Sequence, residues 1–293
     1  MRVRFSGVNP GDTKKRGGWL GSSMAFPRIV PHGDGAGVIE HVGDGLDTGR
    51  VGERVWLWGA QSYRPLGTAA EYTVVPDDHV VMLPAEVSDE VGACLGIPGI
   101  TAHRAVFGDG PVDGATVLVH GVRGGVGSLA AQLAAWGGAT VIGTVRRAAD
   151  VAPALQAGIS SVVCLDAADI SRRIRDIAPA GVDRVIEVSL SDNIDLDAAV
   201  LRVGGVLAVY GSREERPNLP FWPMLFDNVT IRLLGSDDFP ASAKRSAAAD
   251  LTRAAREGAL TISLRKPLPL DQIADAHDAV DAGGGGRVLL ALG

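Results

Sequence analysis

Cysteine occurs only twice in this 293-residue chain, at Cys94 and Cys164, which excludes a disulfide framework and fits a reducing, cytoplasmic setting. Clustered metal ligands are also missing. His32, His41, His79, His103, His120 and His277 are scattered, so neither a closed zinc site nor a three-ligand catalytic one can be spelled from them, and no metal is expected. No apolar run is long enough to span a bilayer, and the opening MRVRFSGVNP lacks a signal-peptide core. There is no basic excess either: 28 Lys and Arg against 34 Asp and Glu give a net charge of −6, so neither nucleic acid nor a membrane surface is expected as partner. No serine stands on a nucleophile elbow, and Asp34 and Glu71 have no partner at a spacing that paired-carboxylate chemistry would use. What the chain does have is 46% hydrophobic residues, enough for one large core or two moderate ones.

The segment TVLVHGVRGGVG, Thr116 to Gly127, is the strongest positive signal. An apolar strand pattern empties into Gly121, Gly124 and Gly127, and Leu129, Leu133 and Trp136 then recur at helical spacing. A strand, a tight turn and a helix in that order suit a pyrophosphate, because glycine permits close backbone approach and the helix N-terminus favours negative charge. The bland alternative is a glycine-rich turn that binds nothing. His120 lies in the strand before the turn, where a buried neutral imidazole paired to a backbone group is expected rather than a catalytic one.

A second absence narrows the ligand. A dinucleotide with a free ribose 2′-hydroxyl calls for an acid about 20 residues past the glycines, yet no carboxylate occurs from Gly124 to Ala149. Thr144, Arg146 and Arg147 stand there instead, at the end of the second strand pattern ATVIGTVRR. Guanidinium forks suit a 2′-phosphate, so NADPH is the expected cofactor; the alternative is that these arginines are ordinary surface charges.

Short β-like runs punctuated by Gly, Pro and Asp, such as Gly37–Val42, Arg54–Trp58 and Ala70–Val75, precede Ile97 and predict an antiparallel barrel-like region. Beyond it strands and helices alternate, predicting an α/β doubly wound parallel sheet. Its six strands are expected at Thr116–Gly121, Ala139–Thr144, Ser161–Leu165, Val182–Val188, Val206–Tyr210 and Val229–Gly235. Helices are expected at Ala148–Gln156, Ile170–Ile177, Leu196–Arg202, Ala241–Gly258 and within Leu268–Val280, before a last strand, Arg287–Leu292, that returns to the first region.

The segments SGVNPGDTKKRGG, PHGDGAGVIEHVGDG, VGERV, AEYTVVP, LGIPGITAHRAV, VLVHGVRGGVG and AHDAVDAGGGGRVLLAL, in this order, resemble the zinc-free quinone oxidoreductase, or zeta-crystallin-like, branch of the medium-chain dehydrogenase/reductase superfamily. The resemblance implies a GroES-like catalytic domain over 1–95, completed by 264–293, and a Rossmann NADP-binding domain over 96–263. It also implies hydride transfer from NADPH to a quinone or other α,β-unsaturated carbonyl in a homodimer. By the same likeness, Arg123, Gly124, Gly125 and Val126 occupy the pyrophosphate turn and Thr144, Arg146 and Arg147 the 2′-phosphate end. Asn193, Tyr210, Gly211, Ser212, Arg213, Ser236, Asp237, Thr101 and Lys14 match positions near the cofactor. Zinc-using relatives carry cysteine and histidine where this chain has Asn9 and the Gly33-Asp34-Gly35 run, which leaves Asn9 to meet a substrate carbonyl or, alternatively, to act as a turn residue before Pro10.

The chain departs from this pattern in two places. Relatives have a β-rich stretch ahead of the segment equivalent to MRVRFSGVNP, so an N-terminally shortened first domain with an open sheet edge is expected. Val122 and Arg123 also replace the usual small residues of the turn, and Arg123 either clamps the pyrophosphate or projects to solvent. Two other functions remain open: enoyl-thioester reduction in a biosynthetic pathway, and non-catalytic NADPH binding. Phe221, Trp222 and Trp58 either line a substrate pocket or pack in a core or interface.

Overall fold

The computed structural model describes residues 1–18 and 25–293. In chain order its strands are β1 (Arg2–Val8), β2 (Asp34–Val38), β3 (Arg54–Leu57), β4 (Val80–Met82), β5 (Thr116–Val119), β6 (Thr140–Val145), β7 (Ser161–Cys164), β8 (Val182–Glu187), β9 (Leu201–Val209), β10 (Thr230–Leu233), β11 (Leu268–Pro269) and β12 (Val288–Ala291). Two compact units hold them. One comprises Met1–Ile100, Pro240–Gly258 and Ile262–Gly293, the other Thr101–Phe239 and Ala259–Thr261.

The first unit is GroES-like, built on a six-stranded sheet ordered β11-β12-β1-β2-β3-β4. The last strand does return: β12 pairs antiparallel with β1 from Phe5 opposite Ala291 to Val8 opposite Val288. β1 is therefore interior, held by β2 on its other side, and β4 and β11 form the edges. Ala70–Val75 does not become a strand. It touches β1 through one bridge, Arg2 to Tyr72, because Tyr72 and Val74 face solvent and have no apolar face to settle against. The core gathers Val3, Val55, Trp56, Leu57 and Leu289, with Trp58 buried and stacked on His79. A polar chain also runs through this interior. Ser6 Oγ meets His32 Nδ1 at 2.8 Å and Thr68 Oγ1 at 2.7 Å, while His32 Nε2 meets His277 Nε2 at 2.8 Å. The helix Ala241–Arg256 groups with this unit.

In the second unit six strands form a wholly parallel sheet ordered β10-β9-β8-β5-β6-β7. Leu118, Ile142, Val163, Ile174, Val185 and Leu207 fill its core, as fits strands covered on both faces. Chain order runs outward from β5 in one direction and from β8 in the other, so the topological switch lies between them, where α/β sheets bind ligands beyond the strand ends. The helix expected at Leu196–Arg202 lies earlier, at Leu190–Val200. Leu201 already belongs to β9, where it pairs with Val182, because an open partner strand outweighs the apolar spacing that suggested a helix.

Candidate functional site

The glycine turn follows β5 directly at the switch point. Gly121 has φ +65°, the left-handed region that favours glycine, and Gly124 N–H donates to Gly121 O at 2.8 Å to close the turn. A Cβ on Gly127 would stand 2.4 Å from Gly121 O, so only glycine lets the helix start this close to the strand. That helix, Gly125–Trp136, has Gly124 as N-cap, no capping side chain and no acid in its first turn. Its first amides are left to an anion, and the residues present fit a dinucleotide pyrophosphate. Val122 is buried against Gly143, whose missing Cβ makes room for it, while Arg123 projects to the half-exposed surface.

At the end of β6, Arg146 and Arg147 are exposed, but Thr144 is not with them. Its hydroxyl faces inward, 2.9 Å from His120 Nδ1 and 3.4 Å from Gly121 N, because Thr144 still lies within β6, buried in the sheet, whereas Arg146 and Arg147 follow the strand's end. Asp150, just past the carboxylate-free stretch, lies between Arg123 and Arg147. Beside them a cavity of about 470 Å³ is lined by Ala148, Val151, Val162, Val163, Cys164, Asp166, Ala167 and Arg173.

Under the turn lies a fully buried ionisable cluster that single-segment reading does not reveal. His120 Nε2 is 2.8 Å from Asp197 Oδ1 and 3.4 Å from Glu187 Oε2. The expected backbone partner of a neutral imidazole is thus replaced by two acids. Burial alone would lower the His120 pKa, but the Asp197 hydrogen bond and the charges of Asp197 and Glu187 raise it overall. Glu187 is pushed up to about 7 by burial, against the pull of His120. Among the described residues these three are the set of His, Cys and acid atoms close enough to hold a metal, all within 4.8 Å, and they already bond to one another.

Several residues expected near the cofactor converge on this cluster. Asn193 Nδ2 donates to both Glu187 oxygens at 3.1 Å, and Tyr210 N–H donates to Glu187 O at 3.0 Å, the Tyr210 phenol being raised by burial and by Glu187. Gly211 O accepts from Leu190 N–H, and a Cβ there would meet Val188 O at 2.4 Å. Ser212 and Arg213 are exposed, with Ser212 Oγ donating to Glu214 O at 2.8 Å and Arg213 paired to Asp192 at 3.2 Å. Ser236 and Asp237 open the short helical turn after β10, and Thr101 is buried.

Asn9 and Lys14 belong to the first unit. Asn9 is buried between two acids: its backbone N–H donates to Asp12 Oδ2 at 2.8 Å and its amide to Asp34 Oδ2 at 2.6 Å. Asp34 also accepts from Ile97 N–H at 2.7 Å and has the Arg287 guanidinium at 4.0 Å. Burial, then Asp34, pushes Asp12 up to about 7. Lys14 is exposed on the helix Pro10–Arg16.

Residues 1–85 match the alcohol dehydrogenase GroES-like domain family and residues 125–248 the zinc-binding dehydrogenase family. The human quinone oxidoreductase is 32% identical over 305 residues, covering 100% of this chain and 88% of the relative. A Pseudomonas syringae quinone oxidoreductase structure superposes with a TM-score of 0.85 at 26% identity, over 99% of this chain and 90% of that one. A mycobacterial protein solved with NADPH does so with a TM-score of 0.84 at 29% identity, over the same shares. With its parallel nucleotide sheet, GroES-like unit and glycine turn at the switch point, the chain belongs to the quinone oxidoreductase (zeta-crystallin-like) family of medium-chain dehydrogenase/reductase oxidoreductases.

Proposed function

We propose that this enzyme is an NADPH-dependent reductase of quinones or other α,β-unsaturated carbonyls that works without zinc. The observation that carries the cofactor choice is the arginine set around the ends of β5 and β6: Arg123, Arg146 and Arg147, with no acid at the strand end to receive a ribose hydroxyl. The amides of Gly125 and Val126, at the head of the helix behind the closed turn, would hold the pyrophosphate, and the cavity beside Ala148 and Cys164 suits the adenine. When bound, the reduced nicotinamide supplies the hydride. The chain's task is then to orient the reacting carbon, exclude water and stabilise the charge that develops on oxygen. Asn9 is the proposed donor to that oxygen, its amide aligned by Asp34.

The zinc-independent reading rests on Asp34. The Asn9 amide and Ile97 N–H already donate to its two carboxylate oxygens, with the Arg287 guanidinium 4.0 Å away, where a zinc ligand set would need lone pairs directed at the ion. A homodimer is proposed through β10, an outer strand of the parallel sheet whose Ile231 and Leu233 are exposed, as are Trp222 and Phe226 on the preceding helix Phe221–Phe226. A cytoplasmic setting fits Cys94 and Cys164, which are both free thiols.

Fluorescence titration with NADPH and NADH, followed by NADPH consumption against a quinone and enone panel with and without chelator, tests this reading. It expects tighter NADPH binding, turnover of at least one acceptor and no loss with chelator. Equal or tighter NADH binding, binding without turnover, or chelator-sensitive turnover would each overturn the corresponding part.

A further inference from the structure

Asp150 is the first carboxylate after the glycine turn, one residue beyond the stretch that lacks any. Arg147 Nε donates to its Oδ2 at 2.8 Å, and Arg123 Nε lies 3.9 Å from its Oδ1. The acid side chain is 19% exposed while those of Arg147 and Arg123 are 71% and 40% exposed, so the carboxylate sits inward of the two cations it joins. The Arg147 hydrogen bond, with added charge from Arg147, Arg123 and Arg146, holds Asp150 below the usual carboxylate range. These arginines come from two separate turns, after β5 and after β6, and Asp150 links the turns.

A guanidinium has a fixed number of donors, and one spent on Asp150 is not aimed at a ligand. A phosphate dianion entering this place would meet a neighbouring negative charge, whereas a neutral ribose hydroxyl would not. We propose that Asp150 is a specificity-determining residue whose carboxylate occupies the arginine forks in place of a 2′-phosphate and so limits the preference for NADPH over NADH. This rests on the NADPH reading above.

Asp150 makes no side-chain cap at the head of the Val151–Gln156 helix, so Asp150→Asn leaves that helix start unchanged. Dissociation constants for NADPH, NADH, adenosine 2′,5′-bisphosphate and adenosine 5′-monophosphate, measured on wild type, Asp150→Asn and Asp150→Glu, test the proposal. Asp150→Asn is expected to tighten NADPH and the bisphosphate by about three- to tenfold and leave NADH and the monophosphate within about twofold, and Asp150→Glu to stay near wild type. If wild type prefers NADPH but Asp150→Asn leaves it unchanged or weakens it, the proposal falls while the cofactor reading stands. Weaker NADH and monophosphate binding in Asp150→Asn would also overturn it, since the acid would then serve a ribose hydroxyl. A wild type with no NADPH preference removes the cofactor reading and this proposal together.

Discussion

Each unit buries histidine in a hydrogen-bonded polar chain, and the two chains set opposite charges. In the first unit His32 meets a serine and another histidine, with no acid at its ring nitrogens, and burial followed by the His277 charge lowers its pKa to about 3. In the second, His120 meets Asp197 and Glu187, and their attraction overcomes burial. The same side chain is thus a neutral hydrogen-bonding strut in one place and a favoured cation in the other. What decides is whether an acid shares the cavity, since burial opposes charge in both. The first unit has buried acids too, but Asp12 and Asp34 flank Asn9, with the Arg287 guanidinium 4.0 Å from Asp34.

The largest effect expected from this contrast is at Asp197. Asp197→Ala strands His120 beside Glu187 and should cost about 3–5 kcal/mol, read as a lower urea midpoint, with NADPH binding weakened because Thr144 and Gly121 lose their support. A cost below 1 kcal/mol would mean that the cluster is not ionic. Arg123→Ala should come next, weakening NADPH by about 1.5–3 kcal/mol in calorimetry, and unchanged affinity would mean that Arg123 makes no contact with the cofactor.

The pH profiles sharpen the comparison. His32 is neutral in the folded chain but takes a proton at its ordinary value of 6.5 when unfolded, so its contribution falls as pH drops from about 6.5 toward 3. His32→Gln should flatten that acid limb of the melting-temperature profile. His120, raised in the folded state, contributes fully below pH 6.5 and loses that contribution as pH rises through its higher folded value, so His120→Gln should flatten the alkaline side instead. Matching profiles for the two variants would erase the distinction. Asp12 carries a pH dependence of its own: its buried carboxylate penalises folding as pH rises from 3.8 to about 7, so Asp12→Asn should melt higher at pH 8 and not at pH 4.

Features whose cause is local could be read from the sequence. The glycine turn, the parallel strands and the returning β12 each come from one short segment with its own periodicity. The His120 cluster could not be read this way, because its members come from β5's exit, the end of β8 and the helix after it, brought together only by the strand order. Thr144 and Arg146 are equivalent in the run TVRR, and what separates them is the end of β6 at Val145: Thr144 is buried within the sheet and Arg146 is exposed beyond it. The place of Asp150 between Arg123 and Arg147 is not legible in the sequence, because it lies beyond the end of β6, where spacing no longer fixes direction. Asn9 and Asp34 are 25 residues apart and meet only across the pairing of β1 with β2.

The central claim, a phosphate-selective arginine site at the end of β6, is tested most directly by calorimetric titration of NADPH and NADH into wild type and an Arg146→Glu/Arg147→Glu double variant. Tighter NADPH binding in wild type, with that preference abolished or inverted in the variant, is the predicted result. Selectivity unchanged by charge reversal, or a wild type that binds NADH more tightly, would contradict it.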